Sequence, residues 1–213
     1  MKTIFLILFI ILNSNLSYAA HTIKNVQAFD IMETAICTPD CPNDRFQDNP
    51  LTTVQFTSGN CQYTVFFYYR KACNLYCDLL ITKIESNTGP PCNQVPSTTI
   101  LNEASIAVIN YALSFLRQPL NCVPDSGQCS TYWRVSKKAC WGTYTGGLTG
   151  FGGFFPCDNE ACCFSTFRVC NNGSEGFEIY KTGFTVIGEC TNPDPYQNCL
   201  PVCGNSGGAP SDN

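Results

Sequence analysis

The side chains of this 213-residue sequence that could do chemistry are sixteen cysteines, sixteen carboxylates and a single histidine. Three cysteine pairs repeat one spacing, Cys37/Cys41, Cys73/Cys77 and Cys199/Cys203. As metal ligands these thiolates would have to be reduced and joined by histidine or further thiols at zinc-like spacing. The pattern reads instead as a disulfide framework, because an even cysteine count behind an export signal belongs to an oxidising compartment. Cys37, Cys41, Cys61, Cys73, Cys77, Cys92, Cys122, Cys129, Cys140, Cys157, Cys162, Cys163, Cys170, Cys190, Cys199 and Cys203 are all assigned to it, which gives eight bridges. Connectivity stays open, since sixteen cysteines allow about two million pairings by the arithmetic that gives 105 for eight. Adjacent Cys162 and Cys163 are not expected to bond to each other. On a strand their side chains face opposite ways, so each would staple a different layer.

His21 falls beside the expected leader cleavage point and is no positioned base. Without a second imidazole there is no Ser-His-Asp or Cys-His arrangement, and oxidised thiols supply no nucleophile. Carboxylate pairs such as Asp158/Glu160 or Glu175/Glu178 could serve a glycoside hydrolase only if roughly 5–10 Å apart across a sugar cleft. Their setting in loops beside cysteines reads as solvated turns. Asp40, Asn43, Asp44 and Asp48 form an oxygen-rich loop that could hold calcium, but the spacing matches no EF-hand and an Asx-rich turn explains it. The expectation is a protein that is not an enzyme and carries no metal or cofactor.

Two features suit contact. From Trp141 to Phe155, six glycines separate five aromatic rings: Trp141, Tyr144, Phe151, Phe154 and Phe155. As a flexible loop these rings could stack on carbohydrate or seat in a neighbouring subunit, since aromatics offer large area with few torsions to freeze. The bland alternative is that the rings fold back over a small core and the glycines make turns. The second feature is the run from Tyr63 to Tyr69, with Tyr63, Val65, Phe67 and Tyr69 facing one way and Phe66 and Tyr68 the other. Both faces are apolar, as in a central strand covered on each side, or one buried by another chain. Asn172-Gly173-Ser174 is also a glycosylation sequon.

These residues need a frame, and the sequence supplies one. Lys2, the apolar run from Ile4 to Leu12 and Ser17-Tyr18-Ala19 read as a signal peptide over residues 1–19. No later run reaches the roughly 18 apolar residues of a membrane span. Removing Lys2 with the leader leaves eleven basic against sixteen acidic side chains, a mature charge of −5. The only basic cluster is Arg134 with Lys137 and Lys138, so nucleic acid is excluded as a partner. Residues 20–203 are expected to form one stapled domain, with a loop-rich part over 20–60, and the small, polar tail 204–213 is expected to be disordered.

Within that domain Tyr63–Lys71 and Asp78–Glu85, rich in β-formers, are expected to form a hairpin turning at Asn74. Thr131–Cys140 is a further strand whose ending, Tyr-Trp-Arg-Val-Ser-Lys-Lys-Ala-Cys, echoes Tyr-Tyr-Arg-Lys-Ala-Cys at 68–73. Phe164–Cys170 is expected to turn through Asn172-Gly173, both at positive φ, into Phe177–Lys181, followed by Phe184–Ile187. Thr98–Arg117 breaks the β pattern with Ile100, Leu101, Ala104, Val108, Tyr111, Ala112 and Phe115 at helical spacing. Ser97 or Thr99 would cap its start, Glu103 would answer the dipole near its start, and Pro119 would stop it. The fold class is therefore α+β and β-dominant, with antiparallel hairpins and one amphipathic helix on a sheet face. The function that follows is a secreted, disulfide-stabilised structural or adhesive protein of the cell exterior. Its partner would be another extracellular protein or a second copy. A monomeric module that binds carbohydrate or inhibits a protein is the alternative.

Overall fold

The computed structural model describes residues 46, 49–89, 92, 98–146, 151–157, 161–190 and 199–203, with backbone alone for Thr145, Gly146 and Phe151. The expected leader, His21, Cys37, Cys41, the calcium candidates Asp40, Asn43, Asp44 and Asp48, the Asp158/Glu160 pair and residues 204–213 lie outside the described residues.

Strands β1 (Thr52–Ser58), β2 (Cys61–Ala72) and β3 (Tyr76–Ser86) form an antiparallel meander. The β2–β3 hairpin falls where the sequence puts it. Its turn holds Cys73 and Asn74 at φ 53° and 54°, left-handed positions that asparagine tolerates better than most residues. After β3 come helix α1 (Thr98–Phe115), a short α2 (Arg117–Leu120), and strands β4 (Cys129–Lys138), β5 (Cys140–Gly146), β6 (Phe151–Pro156), β7 (Cys162–Asn171), β8 (Phe177–Ile187) and β9 (Leu200–Pro201). All nine strands belong to one sheet.

The sheet forks at β3. Along Cys77–Leu80 its free edge pairs in parallel with β4, and along Ile84–Ser86 the same edge pairs antiparallel with β6. One branch continues β4–β7–β8, the other β6–β5–β9. β4 and β5 are consecutive in the chain, separated only by Ala139. They peel away from β3 together, and β6 fills the opening. β6 lies on the inner side of β5 and β7, the next strand in the chain, on the outer side of β4, so the β4–β5 and β6–β7 pairs cross. Backbone bonds pin the crossing: Cys157 N–H donates to Cys140 C=O (3.0 Å), Ala139 N–H to Ala161 C=O (2.9 Å) and Val202 N–H to Ala139 C=O (2.9 Å).

Antiparallel partners share a face, so the register sorts the side chains. Tyr63, Val65, Phe67, Leu79, Ile81, Ile84, Trp133, Val135 and Phe167 lie on one face, and all are buried. α1 covers this face, burying Leu101, Ala104, Ser105, Val108, Ile109, Ala112 and Leu113. Each of its larger aliphatic side chains contributes about 1.5–3 kcal/mol. Tyr111 packs edge-on against Phe67 at 5.8 Å. The helix stops at Phe115 rather than Arg117. Pro119 does not end it but sits inside α2, where φ near −65° is helical, and Asn121 in the left-handed region closes that turn. Ser97 lies outside the described residues, and Thr99 is within the helix.

On the far face Arg70, Asp78 and Arg134 stand directly opposite one another on β2, β3 and β4. Asp78 accepts from Arg70 Nε (2.9 Å), Arg134 Nε (2.9 Å) and Arg134 Nη2 (2.7 Å). Phe46 lies against the Arg70 guanidinium at 4.3 Å, and Phe164 against that of Arg134 at 5.3 Å. All three charges are buried. The basic cluster read at Arg134, Lys137 and Lys138 is thus no surface patch: Arg134 and Lys137 are buried on opposite faces of β4.

Six disulfides join described cysteines: Cys61–Cys92, Cys77–Cys122, Cys129–Cys170, Cys140–Cys190, Cys157–Cys199 and Cys163–Cys203. Cys73 and Cys162 are bonded as well, and no described cysteine is free. Cys163 bonds Cys203 rather than its neighbour Cys162, as strand alternation requires. Bridges 140–190, 157–199 and 163–203 all gather at the strand crossing.

Candidate functional site

The Gly/aromatic segment is not a loop. It forms the β5–β6 hairpin inside the sheet, and its composition has a packing reason. Gly142 pairs with Phe155 and Gly153 with Tyr144 across the two strands. A Cβ on Gly142 would come within 3.1 Å of the Phe155 ring. On Gly153 it would lie 3.0 Å from the Tyr144 ring and 2.5 Å from the Ile84 carbonyl. Each ring therefore lies over the glycine facing it, and the glycines exist to let the rings down. Trp141 and Phe154 are fully buried core side chains, with Trp141 Nε1 donating to Lys138 C=O at 2.8 Å. They cannot meet a ligand directly. Phe151 is paired in β6 opposite Gly146, and its side chain lies outside the described residues.

What remains of the expected contact set is Tyr144 with Phe155, both half-buried on the far face, their rings 6.1 Å apart. The register extends this pair into a row across five strands: Gln55, Thr64, Glu85, Gly153 and Tyr144 stand opposite one another from β1 to β5. Tyr144 O–H donates to Glu85 Oε1 at 3.2 Å, and Lys83 forms an ion pair with the same carboxylate. The Lys83 ammonium sits over the rings of Phe66 (5.2 Å) and Tyr144 (5.4 Å). Burial, opposed by the Lys83 charge and helped by that of Glu85, raises the Tyr144 hydroxyl above its ordinary range. Burial pulls on Lys83 in the other direction, but the Glu85 hydrogen bond and the charges of Tyr144 and Glu85 outweigh it and hold the ammonium protonated. Thr53, Gln55, Thr57 and Gln62 leave the rest of this face exposed and polar.

A second surface lies at the opposite end of the sheet. β8 is an eleven-residue edge strand, paired on one side with β7 and with no strand on its other side among the described residues. It merges the two runs expected at Phe177–Lys181 and Phe184–Ile187 through a bulge at Thr182. Tyr180, Phe184 and Val186 are exposed along it. The turn leading in is not the tight Asn-Gly hairpin expected: Asn172 has φ −87°, and a short 3₁₀ turn, Gly173–Glu175, widens the loop, with positive φ only at Gly173 and Gly176. The exposed Asn172 of the sequon stands at this tip. Beside it, Arg168, Glu178, Tyr180 and the Cys129–Cys170 bridge line an open depression of about 410 Å³. Tyr180 O–H donates to Glu178 at 2.6 Å, and that bond, with one from Asn172, holds the carboxylate below its usual range.

No helix among the described residues is long and apolar enough to cross a membrane. Family models, curated proteins and solved structures were compared with the chain, and none matches. What the fold defines is a β-dominant α+β protein held by disulfides, a construction consistent with the extracellular space.

Proposed function

We propose that this is a secreted, non-enzymatic structural or adhesive protein whose work is contact with other chains outside the cell. The β8 edge carries the reading. A long edge strand with Tyr180, Phe184 and Val186 exposed, and with no strand on its other side among the described residues, is a template for pairing with another chain; it carries no proline, and Lys181 is the charge it turns towards the helix-covered face. Supporting a role without catalysis, the described cysteines are all oxidised, and Glu178 is held ionised, the wrong state for a general acid. Sedimentation of the oxidised protein across a concentration series tests the reading. Wild type is expected to associate, and Phe184→Lys with Val186→Lys to keep it monomeric. A wild type that neither self-associates nor joins the surface of its producing cell would refute it.

The Tyr144 face favours a second reading, a recognition module for carbohydrate. Half-buried rings flanked by amides and hydroxyls suit the alternating apolar and hydroxylated faces of a sugar. Polysaccharide binding that disappears in Tyr144→Ala, by a protein that stays monomeric, would decide for this alternative.

A further inference from the structure

We infer that Lys137 and Lys181, together with the first turn of α1, form a binding site for a halide-sized inorganic anion. Lys137 projects from β4 onto the helix-covered face, in line with Trp133 and Val135, and only 3% of it is exposed. It lines a cavity of about 20 Å³ with Lys181 and Phe184 of β8, Thr98 and Asn102 of α1, and Val202. A buried ammonium ordinarily faces a carboxylate, because leaving it unpaired in a low-dielectric interior costs several kcal/mol. Here no carboxylate or hydrogen-bond acceptor meets Lys137 among the described residues. The other charged group at the cavity is Lys181, of the same sign, whose ammonium donates to Asn102 Oδ1 at 3.3 Å.

The surroundings reinforce the sign. The start of α1 presents the positive end of the helix dipole to the same cavity. One diagonal register step from Lys137, the buried Ser165 hydroxyl on β7 has no partner among the described residues and is a further donor on this face. Burial, followed by the Lys181 charge, already drags the Lys137 ammonium down from its ordinary value. An anion between the two lysines would reverse that pull. The space beside Lys137, about 20 Å³, holds about one water-sized particle, which is room for chloride or bromide.

Urea unfolding of the oxidised full chain at pH 7, at constant ionic strength, tests this with chloride exchanged stepwise for gluconate. Above the dissociation constant the folded-to-unfolded ratio of wild type is expected to grow about tenfold per tenfold rise in chloride, with bromide equivalent and gluconate without effect. Lys137→Met and Lys181→Met should each flatten the response. Lys181 is solvent-exposed, so its variant folds even if the other does not, and excess chloride-35 line broadening in wild type, lost in Lys181→Met, reports binding directly. A wild type whose stability responds alike to chloride and gluconate overturns the proposal, as does a chloride response that survives in Lys181→Met.

Discussion

Replacing Lys137 by methionine should stabilise this protein, although it removes one of its few basic residues. Folding lowers the Lys137 ammonium from 10.5 to about 8, because burial strips its hydration and Lys181 repels it. At about 1.4 kcal/mol per pH unit, the buried charge costs the folded state about 3 kcal/mol. The sign follows from proton counting. Below pH 8 the ammonium is charged in both states and the cost is felt in full. Between about pH 8 and 10.5 the unfolded chain holds a proton that the folded one has released, so wild-type stability rises with pH. Methionine has similar length, keeps the apolar stem packing and carries no charge. Lys137→Met should therefore exceed wild type by about 3 kcal/mol at pH 7, with the gap closing towards pH 10. Urea midpoints measured in gluconate, where no halide offsets the charge, give the comparison. Tyr63, Tyr144 and Tyr180, all raised above 10, add an opposite slope at the alkaline end, but equally in both proteins. A gap that is absent at pH 7, or that fails to narrow between pH 8 and 10, would refute the reasoning.

Gly153→Ala places a methyl 2.5 Å from the Ile84 carbonyl, so the β3–β6 pairing must shift. Thermal unfolding should register a loss of about 2–3 kcal/mol, whereas alanine at exposed Gly59, where no atom crowds a Cβ, meets only its positive φ and should cost less. Asp78→Ala leaves two buried guanidinium groups facing each other and should destabilise by about 3–5 kcal/mol in urea. Serine at both Cys157 and Cys199 removes one bridge at the crossing, and a loss of about 2–4 kcal/mol in the same assay is expected.

Much of the framework was legible because its signals are local. β2 and β3 are dense in β-branched and aromatic residues, and α1 keeps helical spacing over eighteen residues. What escaped is set by partners distant in sequence. Six glycines in fifteen residues read as a flexible loop, since nothing in one strand reveals that the residue facing Gly153 is Tyr144. The pairing of glycine with aromatic at fixed offsets from the turn was the available signal. Arg70 and Arg134 were visible as matching positions in two echoed strand endings, yet their meaning lies in Asp78 between them. Lys137 and Lys138 adjoin in sequence and looked like one basic cluster, although strand alternation alone sends them to opposite faces. In sequence Pro119 signals a stop because a proline is disfavoured in a helix interior, but the first turn of a new helix accepts it.

The crossing of β4–β5 with the chain linking β6 to β7 bears on how the molecule can be made. Its three bridges span 50, 42 and 40 residues, and they interleave: Cys140, Cys157 and Cys163 all precede Cys190, Cys199 and Cys203, which they take in the same order. No cysteine among the six meets its nearest neighbour along the backbone, so oxidation of the unfolded chain would favour wrong partners by proximity alone. The β-sheet has to choose the couples before oxygen seals them. Maturation should consequently depend on disulfide isomerase, and renaturation without a thiol shuffling couple should yield scrambled, compact isomers in place of the native chain.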